Sequence, residues 1–471
     1  MIKHKKSITL FLIILFISCD QEIQDRNSMF SLIPNESKIV IQINDLNYIK
    51  SFITNNTLFS KTYFANDSLN NLINRINIDQ SKNSGLLSFS SYGKNNKAIT
   101  FISNKNFSDS LNIENNKSYK YNNYDVFKED DFYNIYLDEI VVNSTSDIII
   151  ENIIRNYNSK KRGINDPNFY DIILSANKTE PVNIFIDSKL DEFSEEYFRS
   201  IEFYPVIKSS WKSYDLSRSN DDIRLTGITR INDSLRSKLS ILENLNPKSL
   251  ETDKLIPNTF KSFFSFTITD SNSFLKNYQD YLNLNNLKDE FNNLEDIKAI
   301  NEVTFLQDEE KSVILNLIDS NLINKLSFSK EINFSNEIFN ISSPLGLKDL
   351  FNLFDKNLNL KFGILIDSFL VLSSSKNQLK KILTSYNNKR TLINDISYQK
   401  NKENLLNKFS FLWMANTKRI KEEVIFKKST YEDLDINLYP FINLEGLVDE
   451  KLVLLNFYIG KTKTRESSGN I

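Results

Sequence analysis

The sequence predicts an α+β protein built from two related domains, each a mainly antiparallel sheet with helices packed on one side. Three observations carry that prediction. Apolar runs of period two sit in pairs around polar turns, as hairpin strands do. Runs with helical spacing follow several of them, each behind a capping residue. The motif Leu32-Ile33-Pro34-Asn35 returns 223 positions later as Leu255-Ile256-Pro257-Asn258, at the head of a second series in the same order. Hairpins separated by helices favour this layout over a parallel βαβ order. A chain of 471 residues has room for two such domains, and 35 Phe and 20 Tyr are enough to fill both cores.

Lys38 to Asn44 alternates as a half-buried strand should, and Asp45 can cap a helix carrying Leu46, Ile49, Ile53 and Leu58. A further helix is expected over 67–76. Leu87, Phe89 and Ser91 face Ile99 and Phe101 across Gly93-Lys-Asn-Asn-Lys97, where Gly and Asn supply the positive φ of a hairpin turn. Tyr124 to Val142 reads as three short strands. Ser144 or Ser146 then starts a helix with Ile149, Ile150, Ile153 and Ile154, ending at Tyr157-Asn158. Lys160-Lys161-Arg162-Gly163 follows, and basic residues suit the negative end of a helix. Asp166-Pro167 starts another helix. The strands 182–186, 211–216 and 223–231 close the series, the last two as partners.

The second half replays this order. Phe260 to Ile268 is its opening strand, Asp270 the cap, and Phe274, Leu275, Tyr278 and Leu282 share one helical face. Val303–Leu306 and Val313–Leu317 flank a polar turn. The closest internal match sets Asp138–Lys160 against Asp367–Lys389 at a constant offset of 229, pairing Ser144 with Ser373, Ser146 with Ser375, and Tyr157-Asn158 with Tyr386-Asn387. The expected organisation is a signal peptide over 1–18, a flexible tether over 19–30, repeats over 31–236 and 254–461, a linker over 237–253 between them, and a disordered tail over 462–471.

Lys3, His4, Lys5 and Lys6 precede an apolar run from Ile8 to Ile17 that ends at Ser18-Cys19. The run is far shorter than the roughly 18–20 residues that cross a bilayer, so it reads as an export signal. Its end resembles the lipobox of bacterial lipoproteins, with Phe16 departing from the Leu usual there. The resemblance implies that Cys19 is lipidated and becomes the first mature residue. Cys19 is the only cysteine, so it has no internal partner. Several acyl chains, at about 0.8 kcal/mol per buried CH₂, would anchor the protein stably. With the repeated Leu-Ile-Pro-Asn strands and Trp211, Tyr214, Asp215 and Leu216, the chain resembles envelope lipoproteins of the Bacteroidota type. That implies attachment to the outer or inner membrane, facing the periplasm or the surface, and brings no particular activity.

Chemistry is bounded mainly by what is missing. The only histidine is His4, inside the signal. A mature chain without histidine or a free thiol excludes Ser-His-Asp and Cys-His catalysis, His or Cys zinc sites and thiol redox chemistry. Nine glycines form no phosphate loop, and no cofactor is expected. Ser-x-x-Lys occurs at Ser273/Lys276, Ser327/Lys330 and Ser373/Lys376, without the partner motifs of the penicillin-binding nucleophile. Acid pairs occur at Asp130-Asp131, Glu195-Glu196, Asp221-Asp222, Glu309-Glu310 and Glu422-Glu423; in turns they read as solvated charges. Asp433-x-Asp435-x-Asn437 begins like a calcium loop, but Leu438 and Leu444 stand where Gly and Glu are needed. Trp211, Tyr214 and the tyrosines 119, 121, 124, 133 and 136 offer a stacking surface or, more simply, sheet packing.

The mature chain carries 55 basic against 60 acidic residues, and that acidity disfavours nucleic acid or anionic lipid as a partner. The expectation is therefore a lipid-anchored, non-enzymatic binding or scaffolding protein whose partner is an envelope protein or glycan. A carboxylate-based glycan hydrolase and a carrier of apolar ligands are the alternatives.

Overall fold

A computed structural model describes residues 28–56, 58, 85–94, 96–104, 117–129, 131–187, 203, 205, 209–219, 221–231, 237–287, 294–319, 337–341, 347–420 and 438–461. Cys19, the expected signal over 1–18, most of the expected tether over 19–30, the expected helix over 67–76 and the expected tail over 462–471 lie outside these residues. The elements of the first half are β1 (Ser37–Ile43), α1 (Leu46–Asn55), β2 (Gly85–Tyr92), β3 (Asn96–Asn104), β4 (Lys117–Tyr121), β5 (Tyr124–Glu129), β6 (Phe132–Leu137), β7 (Ile140–Ser144), α2 (Asp147–Asn158), α3 (Pro167–Ser175), β8 (Val182–Asp187), β9 (Ser209–Leu216) and β10 (Ile223–Ile231). Those of the second are β11 (Ser262–Thr267), α4 (Ser271–Leu284), β12 (Ile300–Gln307), β13 (Lys311–Leu317), β14 (Ile338–Asn340), α5 (Lys348–Phe354), β15 (Phe362–Ile366), β16 (Phe369–Ser373), α6 (Lys376–Asn387), α7 (Ile396–Lys402), β17 (Phe411–Asn416), β18 (Phe441–Asp449) and β19 (Leu452–Ile459). The class is α+β, with antiparallel strand pairing.

The described residues fall into two compact units, one drawn from 1–40 and 79–166, the other from 41–78 and 167–471. This division differs from the boundary expected at 237–253. The reason is hydrogen bonding: β10 pairs along eight positions with β19, from Ile223↔Ile459 to Arg230↔Leu452, so the last strands of the first half share a body with the second half.

In the smaller unit the ladder runs β2–β3–β7–β6–β5–β4, and the start of β1 joins β2. Hydroxyl pairs tie the strands: Ser37 Oγ to Ser90 Oγ and Thr100 Oγ1 to Ser144 Oγ, each 3.0 Å. Helix α2 begins where expected. Ser146 accepts the Ile149 amide, and Ile149, Ile150, Ile153 and Ile154 are buried. Their spacing makes one apolar stripe, which packs on β6 and β7.

The larger unit corrects the expectation of helices on one side. All six positions of β11 and of β17 are buried. Phe264, Phe266, Phe305, Val313, Leu372 and Trp413 meet α4 and α5, whereas Phe263, Ile314, Val371 and Met414 meet α6 and α7. Helices thus cover both faces, and the unbroken run Phe411-Leu-Trp-Met-Ala415 reflects it: a strand with no solvent face has no polar alternate positions. The rings of Phe264, Phe266 and Phe305 each lie 5.0–5.4 Å from that of Phe354. The expected linker is packed as well. Leu239, Ile241, Leu242 and Leu245 enter the core beside α4, and Thr252 and Asp253 are fully buried.

Both halves repeat one connectivity. β11–β12, β12–β13, β13–β16, β15–β16, β14–β15, β11–β17, β17–β18 and β18–β19 correspond in order to β1–β2, β2–β3, β3–β7, β6–β7, β5–β6, β1–β8, β8–β9 and β9–β10. The offset of 229 holds in detail. Asp138 and Asp367 both have φ 52°, and Lys160 and Lys389 have φ 52° and 54°. Tyr157 donates its hydroxyl to Asp138 as Tyr386 does to Asp367. Ser144 accepts the Ser146 amide and Ser373 the Ser375 amide, both at 3.3 Å.

Candidate functional site

A groove of about 630 Å³ lies in the smaller unit, within the usual size of ligand pockets (roughly 300–1,000 Å³). Three segments build it: Pro34-Asn35-Glu36, the Asn152, Ile153 and Asn156 side of α2, and Lys160 to Gly163 with Asn165. Each is fixed by local chemistry. The 3₁₀ turn Met29–Leu32 ends at Ile33, which precedes Pro34 and is extended, and the Pro34 carbonyl accepts the Ser37 amide at 3.0 Å, turning the chain into β1. Helix α2 stops because Lys160 takes the left-handed conformation, which lets the Lys160 amide reach Tyr157 O (3.0 Å) and the Lys161 amide reach Asn156 O (2.9 Å). The next residues then run along the groove with Lys160, Lys161 and Arg162 exposed.

Comparison with the second half shows what opens it. There, Asn258 N bonds Arg390 O at 3.1 Å, Leu392 N bonds Ile256 O at 2.7 Å, and Pro257 bridges Thr391. The chain after α6 is thereby zipped onto Pro257-Asn258, with Thr391 and Leu392 buried. In the first half Gly163, which matches Leu392 at the same offset, instead bonds Ser31 O at 3.0 Å. The contact has slid two residues toward the N-terminus, and Pro34 and Asn35 line a groove. Only glycine can make the contact, since a Cβ there would sit 1.7 Å from Ile33 O. The lining holds three cations, one carboxylate (Glu36) and four Asn side chains, but no aromatic ring. It offers charged and amide hydrogen-bond donors, with no paired nucleophile and base.

The residues singled out in the sequence are not brought together. Ser273 donates to Asp270 at 2.6 Å as part of the α4 cap, and Ser373 donates to Lys311 O at 3.0 Å while Lys376 lies over the Phe362 ring. Asp222 accepts from Tyr458 and from the Lys461 amide, while Asp131, Asp221, Glu309 and Glu310 are exposed. Ser327, Lys330, Asp130, Glu195, Glu196, Glu422, Glu423, Asp433, Asp435 and Asn437 lie outside the described residues. Trp211 is core, its ring centroid 4.5 Å from that of Phe169. Tyr124 and Tyr157 meet edge to face, and Lys128 covers Tyr133. These contacts make Trp211 and the two sheet tyrosines packing residues.

Besides Asp308, which is buried and pairs with Lys381 of α6 at 2.7 Å, three further carboxyls that no motif marked are buried on the α6/α7 side of the larger unit's sheet. Glu302 accepts from the Thr252 hydroxyl (2.7 Å), the Ser265 hydroxyl (3.0 Å) and the Glu251 amide (3.0 Å). Asp253 accepts from Tyr398 and Lys402, both at 3.2 Å, and Glu445 from the Leu406 amide at 2.8 Å. Burial pushes all three carboxyls above their ordinary values, with hydrogen bonds and, for Asp253, the Lys402 charge opposing it. Burial and then Asp253 push the Tyr398 phenol up as well. These groups join the linker segment and α7 to the sheet, and packed side chains cover them. Among the described residues no three of His, Cys, Asp and Glu gather as a metal-holding group, and no helix is long and apolar enough to cross a membrane.

No protein-family profile and no curated protein matches the chain. Among solved structures, crystal form I of TP0453 aligns with TM-score 0.28 and 8% identity, over 43% of this chain and 78% of that one. Crystal form III aligns with TM-score 0.29 and 9% identity, over 47% and 88%. Likeness at this level carries no argument about function.

Proposed function

We propose that this chain is a duplicated, lipid-anchored protein of the cell envelope, held by Cys19, that binds an envelope component without turning it over. The observation that carries the reading is the contrast between its two polar regions. The groove presents cations and amides around a single carboxylate, Glu36, and glycan hydrolysis by side chains needs two carboxyls facing each other across a cleft. Among the described residues, three carboxyls with raised pKa, Asp253, Glu302 and Glu445, are buried away from solvent, and the fourth, Asp215, is half-buried and held by the Asn183 side chain and the Asn177 amide with no second carboxyl opposite it. A carrier of apolar ligands would need a hollow, and the larger unit's apolar faces are filled with aromatic rings. Duplication is supported by the shared connectivity and by the matched Asp–Tyr and Ser pairs.

The test is metabolic labelling with a clickable palmitate, followed by proximity labelling from the anchored protein. Label should enter the wild-type chain and be lost in Cys19→Ser. Equal labelling of both chains, or none in either, refutes the anchor. Recovery of an envelope protein or glycan supports the binding role, and an empty neighbourhood removes it.

A further inference from the structure

We infer that the groove between Pro34-Asn35 and Lys160–Gly163 is a binding site for a phosphate-bearing anion, either a free phosphate compound or a lipid headgroup; this rests on reading the groove as the binding site. Three observations lead there. First, the groove is a departure from the second half, where the matching segment is zipped shut by Asn258 N to Arg390 O and the Pro257–Thr391 bridge. The departure costs this half those contacts and requires glycine at 163, against the carbonyl of Ile33. A helix end that merely needed basic residues for its dipole would not need the slide; α6 ends on Lys389-Arg390 without it.

Second, the sign of the lining opposes that of the chain. Lys160, Lys161 and Arg162 outnumber Glu36 three to one in a mature protein of net negative charge. The overall acidity that disfavours anionic partners therefore does not describe this site. Ammonium and guanidinium groups make charge-assisted hydrogen bonds to phosphate oxygens, and Asn amides add neutral donors. Without an aromatic ring to stack on, the lining suits an oxyanion better than a neutral sugar.

Third, the groove is close in sequence to the proposed anchor. Pro34 is 15 residues beyond Cys19, a reach on the order of 50 Å even for a fully extended chain. Phosphate groups of the bilayer that holds Cys19 fall within that distance.

The experiment uses the full-length protein in neutral detergent. Calorimetric titration with inorganic phosphate and with glycerol phosphate reports the free anion. Native mass spectrometry from micelles doped with phosphatidylglycerol or phosphatidylcholine reports the headgroup. Lys160→Ala/Lys161→Ala/Arg162→Ala should weaken binding by about tenfold or more, while Lys389→Ala/Arg390→Ala in the closed second-half segment leaves it unchanged. Should the triple variant lose its native circular dichroism, the single exposed change Lys161→Glu takes its place. Binding of the soluble phosphates alone assigns the site to a free phosphate compound; retained phosphatidylglycerol but not phosphatidylcholine assigns it to a headgroup. No binding of either by the wild type, or equal binding by the two charge variants, overturns the inference. Loss of palmitate labelling in Cys19→Ser is read separately, so failure of the anchor and failure of the groove are distinct results.

Discussion

The carbonyl oxygen of Ile33 occupies the place where a Gly163 side chain would begin, 1.7 Å from the ideal Cβ position. Gly163→Ala must therefore push the segment after α2 off the Ser31–Ile33 turn. The expected cost is about 1–3 kcal/mol, read as a lower urea midpoint with unchanged slope. If the anion site depends on this turn, phosphate affinity falls in the same variant.

Tyr157 and Tyr386 should respond alike to loss of the hydroxyl. Each donates to an aspartate 19 residues earlier that itself has φ 52°. Tyr157→Phe and Tyr386→Phe are expected to lose at most about 1 kcal/mol each, because both pairs face solvent. The hydrogen bond to Asp138, then burial, pushes the Tyr157 phenol from 10.0 up to about 12. The unfolded chain then ionises first, so this contribution is complete below pH 10 and disappears as pH rises from 10 to 12. Denaturant titrations at pH 9, 10.5 and 11.5 should show a gap between wild type and Tyr157→Phe that shrinks with pH; a constant gap contradicts the assignment.

Glu302 sets a trend at the acid end. Burial holds its carboxyl above the ordinary 4.5, so the unfolded chain releases this proton first. Its contribution to stability is greatest below pH 4.5 and declines as pH rises through that value toward the folded one. Glu302→Gln cannot ionise. Relative to wild type it should gain stability between pH 4 and 7, although the amide nitrogen would then face either the Glu251 amide or the donors from Thr252 and Ser265. Urea midpoints at three pH values check the direction; a variant that loses ground as pH rises refutes it.

Both tryptophans should be silent to collisional quenchers. Trp211 is 3% exposed and Trp413 0%. Emission is expected at short wavelength, with iodide quenching several-fold weaker than in urea-unfolded protein. Strong native quenching would show that Trp211 is the stacking platform considered for it rather than the partner of Phe169.

The sequence was most legible where the signal is local. The stretch 223–231 reads as a strand from its own alternation, and Asp45, Ser146 and Asp270 reveal the helices they cap because a cap is a short-range hydrogen bond. The matched block at 138–160 and 367–389 was visible for the same reason. What escaped depends on residues distant in sequence. The second helical layer was hidden because Phe263 and Phe264 look alike in sequence but face opposite helices. A lone acid inside an apolar strand, such as Glu302 before Val303 or Glu445 after Leu444, was the available mark of the buried carboxyls. Adjacent acid pairs in turns mark solvated charge instead. For the groove, Lys160–Gly163 read only as a helix end. Its slide along Ser31 is a tertiary event, and Gly163 gave the sole hint.

Antiparallel pairing of β10 with β19 has a consequence for either half taken alone. Both are the last strands of their halves, and each offers the other an otherwise bare row of amides and carbonyls. A polypeptide carrying one half alone would leave that row unmet and would seek it on a second molecule, as exposed sheet edges do. Expressed separately, either half should be recovered as a dimer or an aggregate, never as a stable monomer.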